Sequence, residues 1–261
     1  YPAYRNDIVS VGCRLLELDC GPEVRYQPTV AMLEALPEKP AGLVIASPAN
    51  PTGTMLGAAD LAALCEWCRA AGVRLVSDEI YHGITYGFPT TTLAAHDEQA
   101  IVVNSFSKYF SMTGWRIGWM VVPEAHVRVV ERLAQNMFIC PPHASQVAAL
   151  AALGCAEELE ANVRVYAENR RLMLEELPKA GFTRIAPPDG AFYIYADVSD
   201  LTSDSRAFAA EILDRAGVAV TPGLDFDPVR GAGTLRFSYA RSTGDIREGL
   251  RRLHDFMTTR G

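Results

Sequence analysis

Ser105-Phe-Ser107-Lys108 and Thr113-Gly-Trp-Arg116 put two hydroxyls, an amine and a guanidinium into a span of twelve residues, directly after the apolar run Ile101-Val-Val. The amine stands out because the chain has only three lysines against twenty-one arginines. Lys39 lies in Pro37-Glu-Lys-Pro40 and Lys179 in a polar turn, so Lys108 alone follows a strand that reads as buried. A lysine kept where arginine is otherwise used points to chemistry that a guanidinium cannot do, above all imine formation with an aldehyde. From the tripeptide and the count alone, a loop lysine on the surface also accounts for it.

Three more polar groups sit at the ends of predicted strands. Asn50 follows Ala41–Ala46 in the turn Asn50-Pro-Thr-Gly53, Asp78 and Tyr81 follow Val73–Ser77, and Arg116 immediately precedes Ile117–Val122. In an open parallel sheet the loops at the carboxyl ends of the strands converge on one crevice. Each group has a plain structural account: a turn, a helix cap, turn hydroxyls, a surface arginine, a core tyrosine. Together they meet what an anionic aromatic aldehyde such as pyridoxal 5'-phosphate requires. Lys108 offers the amine, while Ser105, Ser107 and Arg116 offer hydroxyls and a fixed positive charge for the phosphate. Asp78 offers a carboxylate to keep the ring nitrogen protonated, and Asn50 and Tyr81 offer partners for the phenolic oxygen.

The elements that must position these groups alternate. Strands are expected at Val9–Leu18, Ala41–Ala46, Val73–Ser77, Ile101–Asn104 and Ile117–Val122, with helices at Thr29–Leu36 and Ala58–Ala71. Leu61, Leu64, Cys65 and Cys68 mark one face of the second helix. This pattern predicts an α/β large domain with a mainly parallel sheet covered by helices. After Pro141-Pro142 the character changes. Helices are expected at Ala144–Leu153, Glu157–Leu177, Asp204–Ala216 and Asp245–Met257, and strands at Ala191–Asp197, Val218–Thr221 and Leu235–Ala240. Thr243 is the expected cap of the last helix, whose apolar face is Ile246, Leu250, Leu253 and Met257. The domains expected are residues 1–164, large and cofactor-binding, and residues 165–261, a smaller C-terminal α+β domain.

On the strand Leu235–Tyr239, residues Leu235, Phe237 and Tyr239 share one face and leave Arg236 beside Ser238 and Ala240. A large cation among small side chains leaves room for a carboxylate; a solvent-facing strand arginine is the alternative.

A net charge of −7 disfavours non-specific nucleic-acid or anionic-membrane binding, and no apolar run approaches the length of a membrane span. Six scattered cysteines form no dense framework, so the expected location is cytoplasmic. Cys65-Glu-Trp-Cys68 has metal-like spacing but no second pair, and reads as core packing rather than a metal site.

Asn50-Pro-Thr-Gly53, Asp78-Glu-Ile-Tyr81 and the run Ser105–Arg116 resemble the signature blocks of class I/II aminotransferases, the fold-type I, aspartate aminotransferase-like pyridoxal phosphate enzymes. Gly190-Ala-Phe-Tyr193 and Thr234-Leu-Arg-Phe-Ser-Tyr239 resemble two further blocks. The resemblance implies that Lys108 forms the internal aldimine and that Asp78 pairs with the ring nitrogen. It implies that Asn50 and Tyr81 bind the phenolic oxygen, that Ser105, Ser107 and Arg116 hold the phosphate, and that Arg236 grips the substrate α-carboxylate. It also places a ring-stacking aromatic near Tyr1; a disordered chain terminus is the plain alternative there. The activity implied is ping-pong transfer of an amino group between an L-amino acid and a 2-oxo acid, by a homodimer.

The chain begins at Tyr1 rather than Met, and the resemblance implies a preceding part with an arm and a glycine-containing phosphate loop. The reading is therefore of an N-terminally incomplete large domain. The rival readings are a carbon–sulfur lyase on the same scaffold, against which the blocks around Lys108 argue, an aminotransferase-like effector domain of a transcription regulator, against which Asn50-Pro-Thr-Gly53 and Thr113-Gly-Trp-Arg116 argue because they resemble the enzyme versions, and an inactive fragment.

Overall fold

Residues 1–260 are described by a computed structural model. In chain order its helices are α1 (Pro2–Ser10), α2 (Val30–Glu34), α3 (Ala58–Ala71), α4 (Glu124–Met137), α5 (His143–Ala152), α6 (Ala156–Glu176), α7 (Ser205–Ala216) and α8 (Thr243–Arg260). The strands are β1 (Gly42–Ala46), β2 (Arg74–Asp78), β3 (Ile101–Ser105), β4 (Gly118–Val121), β5 (Arg184–Ile185), β6 (Tyr193–Asp197), β7 (Thr221–Pro222) and β8 (Thr234–Ser238). The chain divides into two units. One joins Gln27–Pro48 to Met55–Val163; the other joins Tyr1–Tyr26, Ala49–Thr54 and the residues from Arg164 onward.

The first of these is an α/β unit with a sheet in the order β1-β2-β3-β4. β1, β2 and β3 run parallel, with Ala46 opposite Asp78 and Asp78 opposite Val103. β4 returns antiparallel to β3, Ser105 opposite Gly118. The parallel strands are short runs of Leu, Val and Ile, and Leu43, Ile45, Leu75 and Val102 are buried. Burial alternates along these strands, with Leu43 and Ile45 buried and Val44 exposed, so one face of the sheet is covered and the other only in part. α3 supplies cover through Leu61, Leu64, Cys65 and Cys68, all buried, and it packs against β2. The two cysteines are free thiols, and burial pushes Cys68 up to about 11. β4, at the sheet edge, and α4 are exposed throughout or nearly so: no residue of either is buried.

The second unit has an antiparallel sheet in the order β5-β6-β8-β7. Its core is built from Tyr193–Ala196 on β6, Leu235 and Phe237 on β8, Phe208 and Ile212 on α7, and Ile246, Leu250, Leu253 and Phe256 on α8. Phe182 stacks edge-on against Phe237 at 5.2 Å. Asn169, fully buried, ties α6 to the end of β8 through the carbonyls of Tyr239 (3.0 Å) and Arg241 (2.8 Å). Asp204 caps α7 by accepting the Arg206 and Ala207 N–H groups, both at 3.0 Å.

Four expectations are corrected. Val9–Leu18 is not a strand: Val9 and Ser10 close α1, and the residues after them hold no regular element up to a short turn at Pro22–Val24. The expected strand Val218–Thr221 pairs only from Thr221 to Pro222. α8 begins at Thr243 itself, and the cap is Ser242, whose Oγ accepts the Asp245 N–H at 3.1 Å. Its apolar face ends on Phe256, with Met257 only half-buried.

Candidate functional site

Asp78 is the last residue of β2, and Lys108 lies three residues beyond the end of the neighbouring parallel strand β3. Both therefore leave the sheet at the same edge, as the strand-end rule requires. The Asp78 carboxylate accepts the Ile80 N–H at 3.0 Å, which turns the chain sharply beyond the strand. Beneath that turn Glu79 is buried, accepting the Leu93 N–H at 2.8 Å and facing His82 Nδ1 at 3.3 Å. Burial lowers the pKa of His82, against the opposing pull of Glu79. Tyr81 is buried, and the Lys108 Nζ stands 5.6 Å from the centroid of its ring.

The Lys108 loop is folded by its own hydroxyls. Ser105 Oγ accepts the Ser107 N–H at 3.0 Å and lies 2.9 Å from Ser107 Oγ. Thr113 Oγ1 donates to the Ser107 carbonyl at 2.6 Å. Arg116 closes the loop in the left-handed backbone region (φ +52°), its guanidinium exposed and donating to the Thr113 carbonyl at 2.8 Å. Among the described residues no carboxylate lies within ion-pair reach of Arg116. Two serine hydroxyls and a guanidinium without an anionic partner make a donor set suited to a phosphate. Phe106 and Met112 anchor the loop below, with Phe110 packed on them.

Asn50 and Arg236 belong to the other unit, and there they meet. Arg236 Nη1 donates to Asn50 Oδ1 at 2.7 Å, and Nη2 donates to Thr221 Oγ1 at 3.2 Å. An arginine has only donors, so the Asn50 amide must turn its carbonyl to Arg236, which leaves Nδ2 to donate elsewhere. The guanidinium lies between two rings, 4.5 Å from the Tyr193 centroid and 4.7 Å from that of Phe226. Its Nε is buried without a hydrogen-bond partner, and among the described residues no carboxylate pairs with it. A buried polar group left unmatched is costly, and a carboxylate is the ligand that would satisfy this one. The turn carrying Asn50 is held by Gly53, at φ +73°, where a Cβ would meet the Gly190 carbonyl oxygen at 3.0 Å. Only glycine fits that approach.

Asp78, Tyr81, Ser105, Ser107, Lys108 and Arg116 thus sit in one unit, and Asn50, Arg236 and Tyr1 in the other. Tyr1 lies at the start of α1, its ring edge-on to Tyr4 at 5.9 Å. Sequence reasoning passed over Thr113, Thr221 and Phe226. Thr221 is placed by its pairing opposite Arg236, and Phe226 by the turn Gly223–Asp225; neither carries a local motif. Within the unit that carries Lys108 the groups suit an anionic aromatic aldehyde: an amine beside an aromatic ring, a carboxylate at the neighbouring strand end, and hydroxyls with a guanidinium that has no carboxylate partner among the described residues.

The sequence profile of the family "Aminotransferase class I and II" matches residues 1–253. The valine–pyruvate aminotransferase of Mycobacterium tuberculosis is 50% identical, over 98% of this chain and 67% of its own length. A crystal structure of a protein from Silicibacter pomeroyi is 66% identical with a TM-score of 0.96, covering 99% of this chain and 70% of that one. The aspartate aminotransferase of Thermus thermophilus, crystallised with maleate, is 32% identical with a TM-score of 0.89, over 98% of this chain and 67% of that one. The chain thus spans about two thirds of the length of the relatives it matches.

Proposed function

Because this chain belongs to the class I and II aminotransferase family, we propose that it moves an amino group between an L-amino acid and a 2-oxo acid with the aid of pyridoxal 5'-phosphate. The family is generally dependent on that cofactor. The observation that carries the reading is the Lys108 amine, 5.6 Å from the Tyr81 ring centroid, on a loop whose serines and Arg116 form a donor set for phosphate.

When bound, pyridoxal 5'-phosphate supplies an aldehyde for an amine and a ring that draws electrons from the substrate Cα. Ser105, Ser107 and Arg116 would bind its phosphate. Asp78 would hold a proton on the ring nitrogen, since an ionised carboxylate favours the charged partner. Asn50 Nδ2 and the Tyr81 hydroxyl would orient its phenolic oxygen. Arg236 would clamp the substrate α-carboxylate with two parallel donors. The Lys108 amine would take the proton from the substrate Cα as general base and return it as general acid. Ping-pong kinetics follow, because one group is carried between two substrates. A chain with six free cysteines suits a reducing compartment, and we infer the cytoplasm.

Reduction with borohydride in the presence of pyridoxal 5'-phosphate, followed by peptide mapping, tests the reading. A stoichiometric adduct is expected on Lys108, lost in Lys108→Ala and unchanged in Lys39→Ala. A folded chain whose adduct spreads over Lys39 and Lys179, or forms nowhere, sinks it.

A further inference from the structure

Tyr109, the residue beside Lys108, has no role in the proposed chemistry, yet both ends of its side chain are held. A Cβ built on Gly83 would lie 2.4 Å from Tyr109 Cδ2 and 2.7 Å from Cγ, so the ring rests directly on the Gly83 backbone. Gly83 has φ +91° and stands two residues after Tyr81. At its far end the Tyr109 hydroxyl donates to Glu160 Oε1 at 2.6 Å. Two residues along each segment the tie is repeated, with Asn162 Nδ2 donating to Ser111 Oγ at 3.2 Å. All of these residues lie in the unit formed by Gln27–Pro48 and Met55–Val163.

One ring therefore touches the segment that carries Tyr81, belongs to the segment that carries Lys108, and is anchored on α6. The hydroxyl bond to a carboxylate is of the strong, charge-assisted kind. Burial and the Glu160 carboxylate together push the Tyr109 hydroxyl up to about 12, so it stays a donor throughout the neutral range. A phenylalanine would keep the contact with Gly83 and lose the anchor.

We propose that Tyr109 is a positioning residue, which, seated on Gly83 and anchored on Glu160, holds the Lys108 amine in register with Tyr81. The proposal rests on Lys108 being the reactive amine. A misplacement of about 1 Å in a reacting group costs about a hundredfold in rate, so a loosened loop should show in Lys108 well before it shows in the fold.

The three lysines of the chain allow an internally referenced test. Trapping of pyridoxal 5'-phosphate by borohydride at limiting cofactor is measured on Lys108 relative to Lys39 and Lys179. In parallel, trace acetylation of the three amines is followed across pH without added cofactor. Tyr109→Phe and Glu160→Leu are expected to lower relative trapping on Lys108 by about tenfold and to displace its acetylation midpoint, with the other two lysines unchanged. Glu160→Gln keeps an oxygen acceptor and should restore both readouts. Gly83→Ala, which drives the ring away, should lose the most; if it does not fold, Tyr109→Phe decides. Wild-type trapping and an unmoved midpoint in both Tyr109→Phe and Glu160→Leu would overturn the proposal. If the wild-type chain itself gives no Lys108 adduct, the functional reading fails, and the acetylation midpoints still decide the role of Tyr109.

Discussion

Replacing Arg236 by lysine keeps the charge and removes the geometry. In the structure the guanidinium spends one donor on Asn50 (2.7 Å) and one on Thr221 (3.2 Å), lies between the rings of Tyr193 and Phe226, and leaves a buried Nε unmatched. A lysine ammonium is a point charge that cannot present two parallel donors to a carboxylate while stacking between rings. Losing a hydrogen bond between charged groups removes about 1.5–3 kcal/mol of transition-state binding, or roughly 10- to 100-fold in kcat/KM. The lost ring contacts lie within the protein itself and count towards stability instead. The assay compares an amino acid with the matching amine that lacks the α-carboxylate, on protein loaded with pyridoxal 5'-phosphate. Only the amino acid should suffer, and a urea titration run alongside separates lost binding from lost stability. Equal losses on both substrates, or no loss on either, would refute the carboxylate assignment.

Two further outcomes concern stability. Gly53→Ala places a side chain at φ +73° with its Cβ 3.0 Å from the Gly190 carbonyl oxygen; it should cost roughly 1–3 kcal/mol, read as a lower urea midpoint at unchanged slope. An unmoved midpoint would mean that the Asn50 turn is not set by that close approach. Glu248, bonded by Arg251 and Arg252, is pulled down from 4.5 to about 2. Its folded pKa lies below the unfolded one, so its contribution is present above about pH 4.5 and lost as pH falls towards 2. The difference in Tm between wild type and Glu248→Gln should shrink across that window and shrink further in high salt, the pair being exposed; a constant difference would contradict it.

What the amino-acid sequence discloses of the fold follows burial. α3 runs from Ala58 to Ala71 as its spacing of Leu61, Leu64, Cys65 and Cys68 predicts, because all four side chains are buried and the periodicity has a core to encode. The parallel strands are legible for the same reason. α1 has no buried residue, and α4, which no sequence expectation covered, has none either. Only Val9 and Ser10 of the expected strand Val9–Leu18 belong to α1; the residues from Val11 to Leu18 lie in no regular element and none is buried, so their apolar spacing has neither a partner strand nor a core to encode. β7 fails differently: two residues pair, and what places them is Arg236 and Leu235 across the ladder rather than anything in Val218–Thr221.

The site divides along the same physical line. Asp78, Ser105, Ser107, Lys108 and Arg116 share one edge of the sheet, as the sequence led one to expect, because each stands within a few residues of a strand end and parallel topology converts that local fact into a shared edge; their roles stay proposals. Arg236 is legible from strand alternation, but its cage is not: Asn50 lies 186 residues away in sequence and Thr221 lies 15. The same holds for Tyr109, whose anchor is 51 residues downstream. Reactive groups are announced by local motifs because their chemistry restricts residue type, whereas many residues can brace them. The bracing contacts are therefore the ones that only coordinates reveal, and they decide how far apart two reactive atoms stand. In this chain the Lys108 amine stands 5.6 Å from the Tyr81 ring centroid, and the brace proposed for it is the Tyr109 ring, which lies on a glycine with no side chain to keep it off.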